Sequence, residues 1–171
     1  YSYISKKLED AAFIKLLKSC VLIISSLFPV GYFVLEKIVE VYLGKYIGSL
    51  EVLSILVLTM PFIGVINVLY INLYKASKSI KVYLKRMMVV LTLSFILNAV
   101  ASIIFGTVAS IAWATFASFV IWYFYSARDF KELKINIIEI AYLFFSTISF
   151  FAVKAADMGL LLSLLVLGIR S

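Results

Sequence analysis

From Met87 to Ala127 the chain runs without a single Asp, Glu, Lys or Arg. A helix that crosses a membrane needs roughly 20 mostly apolar residues. The stretch therefore holds two, near residues 86–105 and 107–126, folded into an antiparallel hairpin by a turn at Phe105 and Gly106. On the same scale further spans fall near residues 16–35, 50–74 and 136–153, with a shorter one at 158–169. The runs lack the period-two alternation of strands, so the expected fold class is all-α, a polytopic transmembrane helix bundle of about six spans. Composition agrees: 64% of the residues are hydrophobic and 15% charged, where soluble domains have about half and a quarter.

The charges that remain are grouped by sign and place. Lys6, Lys7, Lys15 and Lys18 precede the first span, and Lys75, Lys78, Lys81, Lys85 and Arg86 crowd the stretch INLYKASKSIKVYLKRMM (71–88). Arg128, Lys131 and Lys134 follow the fourth span, and Arg170 the last. The intervening loops hold only Lys37, Lys45 and Lys154, so 13 of the 16 basic residues lie on one side. Basic residues of short loops mark the cytoplasmic side. Both ends and the 71–88 stretch are thus expected in the cytoplasm, with Glu36, Lys37, Glu40 and Lys45 outside. At its plainest the cluster anchors two helix ends among anionic membrane lipids, at about 1 kcal/mol per charge. A net charge of +7 also raises nucleic acid as a partner. That reading is rejected, because the cations sit between apolar runs with no basic face and no recognition motif.

The chain begins with Tyr1, its first residues lack the zones of a signal peptide, and it stops at Arg170 and Ser171 close behind an apolar run. The expectation is the C-terminal part of a longer protein.

Catalytic chemistry has little to work with. There is no His and one Cys, Cys20, inside an apolar run, which leaves disulfides, thiolate zinc sites and imidazole acid–base chemistry without residues. Gly-rich phosphate loops, HExxH, CxxC and GxSxG are missing. No catalytic residue, metal or cofactor is expected. Pro29, Gly31 and Pro61 read as helix breaks of the kind that line substrate paths in transporter folds. A central Lys, Arg or Asp costs about 2.5 to 3.5 kcal/mol inside a span. Glu139, a few residues into its span, either reaches the interface or faces a watery interior, where it would couple transport to a proton or sodium ion.

Uncharged polar residues fall in stripes. Gly64, Asn67, Tyr70 and Tyr74 share one helical face after Pro61, and Ser94, Asn98 and Ser102 recur at four. Ser110, Ala114 and Ser118 form a small-residue face suited to close helix packing. An amide in hydrocarbon needs partners, so Asn67 and Asn98 meet either another helix or water in a cavity. Trp122, Tyr123 and Tyr125 read as an interfacial belt.

Ordered landmarks bring in a resemblance. LGKYIGSLEVLSIL (43–56) resembles the external loop and following helix of polysaccharide and oligosaccharide flippases, the Wzx-like O-antigen and teichoic-acid exporters of the MOP (MATE-like) superfamily. NLYKASKSIKVY (72–83) is similar to that family's helix end and short basic loop, and LNAVASIIFGTVASIAWATFAS (97–118) to its hairpin. YSYISKKLEDAAFIKLLKS (1–19) is similar to the preceding loop. The resemblance covers residues 1–126 and rests on order and spacing. It departs at Ala109, where a second Gly is expected, with Ala114 and Thr115 one residue further on.

The resemblance implies the second half of a transporter of 12 to 14 helices in the cytoplasmic membrane. Such a protein moves a polyprenyl-pyrophosphate-linked oligosaccharide outward by alternating access, working beside a glycan polymerase and glycosyltransferases. It makes Lys75, Lys85 and Arg86, with Asn67 and Asn98, candidates for binding the lipid-linked oligosaccharide, and Glu139 the candidate for ion coupling. Competing readings are a drug or cation exporter of the MATE branch, which wants a buried acid and has Glu139 and Asp157 to offer, a membrane-embedded glycan enzyme, and a structural subunit. The enzyme would need His or paired carboxylates.

Overall fold

The computed structural model describes residues 11–130, 133 and 135–168, and every regular element among them is helical. Two compact units divide the chain, Tyr1–Ile135 and Asn136–Ser171. Lys6, Lys7, Lys131, Lys134 and Arg170 lie outside the described residues, as does the Asp157 side chain.

The first unit opens with two helices, α1 (Ala11–Ser25) and α2 (Phe28–Tyr42), which together give one apolar length over Ala12–Tyr42. Pro29 explains the break between them. Proline has no N–H and its ring clashes with the carbonyl four residues earlier, here that of Ser25, the last residue of α1. The same offset recurs in the next pair, α3 (Leu50–Val57) and α4 (Met60–Val65), where Pro61 stands four residues after Val57. Tight bonds close both gaps: Leu27 N–H donates to Ile24 O at 3.1 Å, and Leu58 N–H to Ile55 O at 3.2 Å. The second pair bends by 47°.

A 3-10 turn, Gly44–Ser49, links α2 to α3. The fully buried Tyr32 fastens them, its hydroxyl donating to Glu36 Oε1 at 2.9 Å and sharing the proton with Leu50 O at 3.3 Å. The first span was expected to end at residue 35. The helix instead carries Glu36, Lys37 and Glu40 on to Tyr42, with Lys37 and Glu40 paired at 3.0 Å.

After α4 the backbone widens into a π turn, Ile66–Tyr70, and tightens again in α5 (Ile71–Ala76). The α6 helix (Ile80–Phe105) and α7 (Val108–Ala127) form the expected hairpin. Gly106 ends α6 with φ +63°, a left-handed conformation that glycine adopts without steric cost, and its N–H reaches Ser102 O at 3.0 Å. Thr107 then caps α7 by accepting Ser110 N–H at 3.2 Å. Near its turn the hairpin is stitched by side chains: Thr115 Oγ1 donates to Asn98 Oδ1 at 3.2 Å, and Ser110 Oγ shares its proton between Thr107 O at 2.6 Å and Ala101 O at 3.3 Å. On its other side α7 packs on α3 and α4, with the Phe62 ring 5.8 Å from Phe116 and 5.6 Å from Tyr123. Ser118, of the small-residue stripe, is buried, its hydroxyl donating to Ala114 O at 2.8 Å.

The second unit holds one helix, α8 (Ile137–Gly168). This differs from the expected pair of spans at 136–153 and 158–169 separated at Lys154. The sequence AVKAAD around Lys154 contains no proline and three alanines, the strongest helix former, so nothing halts the helix. At 1.5 Å per residue its 32 residues extend about 48 Å. Among the described residues four helices are long and apolar enough to cross a membrane, or five with the bent Gly44–Ala76 pair, where six were expected.

Candidate functional site

The ends of α5, α6 and α7 converge on one carboxylate. Asp129, two residues beyond α7, accepts hydrogen bonds through Oδ2 from Tyr74 Oη at 2.6 Å and Arg86 Nε at 2.9 Å, and through Oδ1 from Arg86 Nη2. This is the two-pronged guanidinium–carboxylate pairing that adds geometric specificity to charge. The Arg86 guanidinium also lies over the Tyr125 ring, 3.9 Å from its centre, a cation–π contact. Aromatic rings wall the inner side: Phe130 stacks on Tyr70 at 5.9 Å and meets Tyr74 edge-on at 4.9 Å.

Local sequence explains the convergence. The helix α5 stops at Ser77 because Lys78 turns left-handed, φ +54°, and the bonds Lys78 N–H to Lys75 O at 3.2 Å and Ser79 N–H to Tyr74 O at 2.9 Å close its end. The next helix starts at once, so Arg86 arrives within two turns beside Tyr74. Both partners of the ion pair stay partly open to solvent, Arg86 at 24% and Asp129 at 17% side-chain exposure. Burial alone would push the Asp129 carboxyl up. The hydrogen bonds from Arg86 and Tyr74, with the positive charges of Arg86 and Arg128, outweigh it and hold the group below the usual carboxylate value.

Of the residues singled out from sequence, Lys75 and Lys85 are exposed, as are Lys78 and Lys81. Arg86 is the one cation of the cluster drawn inward, and its charge is taken up by Asp129. Asn98 has found a neighbouring helix: it accepts from Thr115 of α7 and donates to Ser94 Oγ at 3.4 Å. Asn67 is exposed on the π turn, while Tyr70 and Tyr74 are buried. The face expected to join them is therefore split, because a π turn takes in more residues per turn than an α-helix. Glu139 stands in the first turn of α8, in the second unit, where a helix start favours a carboxylate.

Sequence reasoning missed Asp129, Tyr74 as its partner and Tyr125. A signal existed for the first: between Glu51 and Glu132, Asp129 is the sole acid. Among the described residues no cluster of His, Cys, Asp and Glu is placed to hold a metal. No family model matches the chain, and neither a curated protein nor a solved structure matches it.

Proposed function

We propose that the chain is part of a flippase of the cytoplasmic membrane that carries polyprenyl-pyrophosphate-linked oligosaccharides outward for surface polysaccharide synthesis. The observation that supports this best is the distribution of cations at the α5–α6 connection. Lys75, Lys78, Lys81 and Lys85 are exposed around it, and Arg86 sits half-buried just inside. Exposed lysines raise the local concentration of an anionic head group, and a guanidinium fork matches phosphate oxygens in two-pronged fashion. Apolar helices broken at Pro29 and Pro61 supply elements that can bend while the helix ends keep their contacts. No covalent chemistry is required of any residue.

The test uses a strain lacking the full-length gene. Lipid-linked oligosaccharide accumulating on the cytoplasmic side, with loss of the surface polymer, supports the proposal. Normal levels of both overturn it and favour a drug or cation exporter, with Glu139 the residue to replace. In the complementing gene, Asn67→Ala, Asn98→Ala and Arg86→Gln are expected to lower transport without loss of expression. Unchanged transport in all three removes these residues from the site.

A further inference from the structure

We propose that Asp129 is a built-in competitor for the diphosphate group at Arg86, a carboxylate that holds the anion-binding guanidinium until a head group displaces it. The inference rests on the flippase reading and assigns that site its latch.

Three observations carry it. Asp129 occupies the Nε and Nη2 edge of Arg86, the edge a phosphate would use, so carboxylate and phosphate exclude one another there. Both side chains keep partial exposure, 24% and 17%, so the exchange requires no unfolding. The Tyr125 ring lies against the guanidinium at 3.9 Å, on a face the exchange does not use, and keeps the group in place when Asp129 leaves. A diphosphate carries more charge than one carboxylate, and Lys81, Lys85 and Arg128 are exposed nearby in sequence to take its remaining oxygens. Exchange has a mechanical consequence as well. Asp129 joins Tyr74 at the end of α5 to Arg86 at the start of α6, so its departure removes the hydrogen-bonded tie between them and leaves ring contacts, Tyr125 on Arg86 and Phe130 on Tyr74, to hold these helix ends.

The group bound is a diphosphate, free or borne by a lipid, and the experiment separates the two. The dissociation constants of inorganic pyrophosphate and of geranyl pyrophosphate are measured on the full-length protein in nanodiscs of neutral lipid, at fixed ionic strength. If the latch leaves Arg86 free a tenth of the time, Asp129→Asn tightens binding about 10-fold. Tyr74→Phe, which removes one donor to the carboxylate and preserves its charge, tightens it by a smaller factor and serves if the first variant folds poorly. Adding Arg86→Gln abolishes either gain. Those results support the latch, and geranyl pyrophosphate binding more tightly than pyrophosphate assigns it to a lipid-borne head.

A structural staple alone would lower the melting temperature in both variants and leave affinity unmoved. Wild-type affinity in Asp129→Asn and Tyr74→Phe, with loss in Arg86→Gln, therefore overturns the latch and leaves the anion site standing. No binding of either probe by any form overturns the latch together with the flippase reading beneath it.

Discussion

Along α6, 26 residues long, the buried residues are Val90 and Ala101, whereas the short α4 and the π turn after it bury Pro61, Phe62, Val65, Ile66, Leu69 and Tyr70. The unbroken helix turns Phe95 and Ile103 outward at 76% and 83% exposure. The contrast follows from where backbone groups find partners. A straight helix satisfies its own N–H and C=O groups and can lie against hydrocarbon with few protein neighbours. A helix broken by proline leaves a carbonyl in need of another partner. The break at Pro61 is enclosed, whereas beside Pro29 the side chains of Leu27, Phe28 and Val30 stay exposed. At the two breaks the neighbouring hydroxyls turn back on their own helices, Ser26 Oγ donating to Leu22 O at 2.8 Å and Thr59 Oγ1 to Leu56 O. The interior of the first unit has gathered around the second interruption.

The sharpest way to break that arrangement is to push α1 and α4 apart. A Cβ on Gly64 would land on the Ser25 hydroxyl and 2.9 Å from the Ser25 Cβ. Gly64→Val is expected to cost about 3 kcal/mol, the upper end for overpacking, read as a fall in melting temperature in detergent. Ser25→Gly in the same chain should return a kilocalorie per mole or more, since residues in contact couple on about that scale. Val108→Leu, on the exposed face of the hairpin at 67% exposure, is expected to stay within about 0.5 kcal/mol. Equal losses at both places would show that burial does not distinguish the two regions.

A smaller effect is expected where the regions meet, at Asp129. Its carboxyl is held low, so the sign is fixed: the pair's contribution is fully present above the unfolded Asp value of about 4 and fades as pH falls through the lower folded value. Asp129→Asn should cost about 2 kcal/mol at pH 7, as for hydrogen bonds to charged groups. The curves of stability against pH should then converge in acid. A variant whose deficit stays constant down to pH 2 would show that something other than the ion pair is lost.

How much of this could be read from the residues depends on range. The hairpin was legible because Gly106 interrupts a stretch with no charge, and the breaks because proline acts on the carbonyl four residues away. The exporter-like span count was less so: Lys154 reads as a loop charge, yet alanines on both sides carry the helix through it. The π turn leaves no mark in INVLY, and it moves Asn67 off the face that spacing gives it. For the candidate site, Arg86 was one of three cations that the resemblance offered, but its partner is 43 residues away and the carboxylate's other donor 55. Local patterns cannot report pairings at that distance.

The smallest expected effect concerns the two turns that end α5 and α6. Both need a left-handed residue, with φ +54° at Lys78 and +63° at Gly106, but only the hairpin turn has glycine there. An L-residue in this conformation costs about 1 to 2 kcal/mol, and glycine returns part of that through the greater freedom of its unfolded chain. Lys78→Gly should therefore stabilise by about 0.5 to 1 kcal/mol. Lys78→Ala removes the same charge, keeps the Cβ and should give no gain, so the pair separates backbone strain from electrostatics in one melting experiment. If alanine and glycine stabilise equally, the relief comes from thinning out Lys75, Lys81 and Lys85, and the cluster's mutual repulsion, rather than its turn, is what this connection sustains.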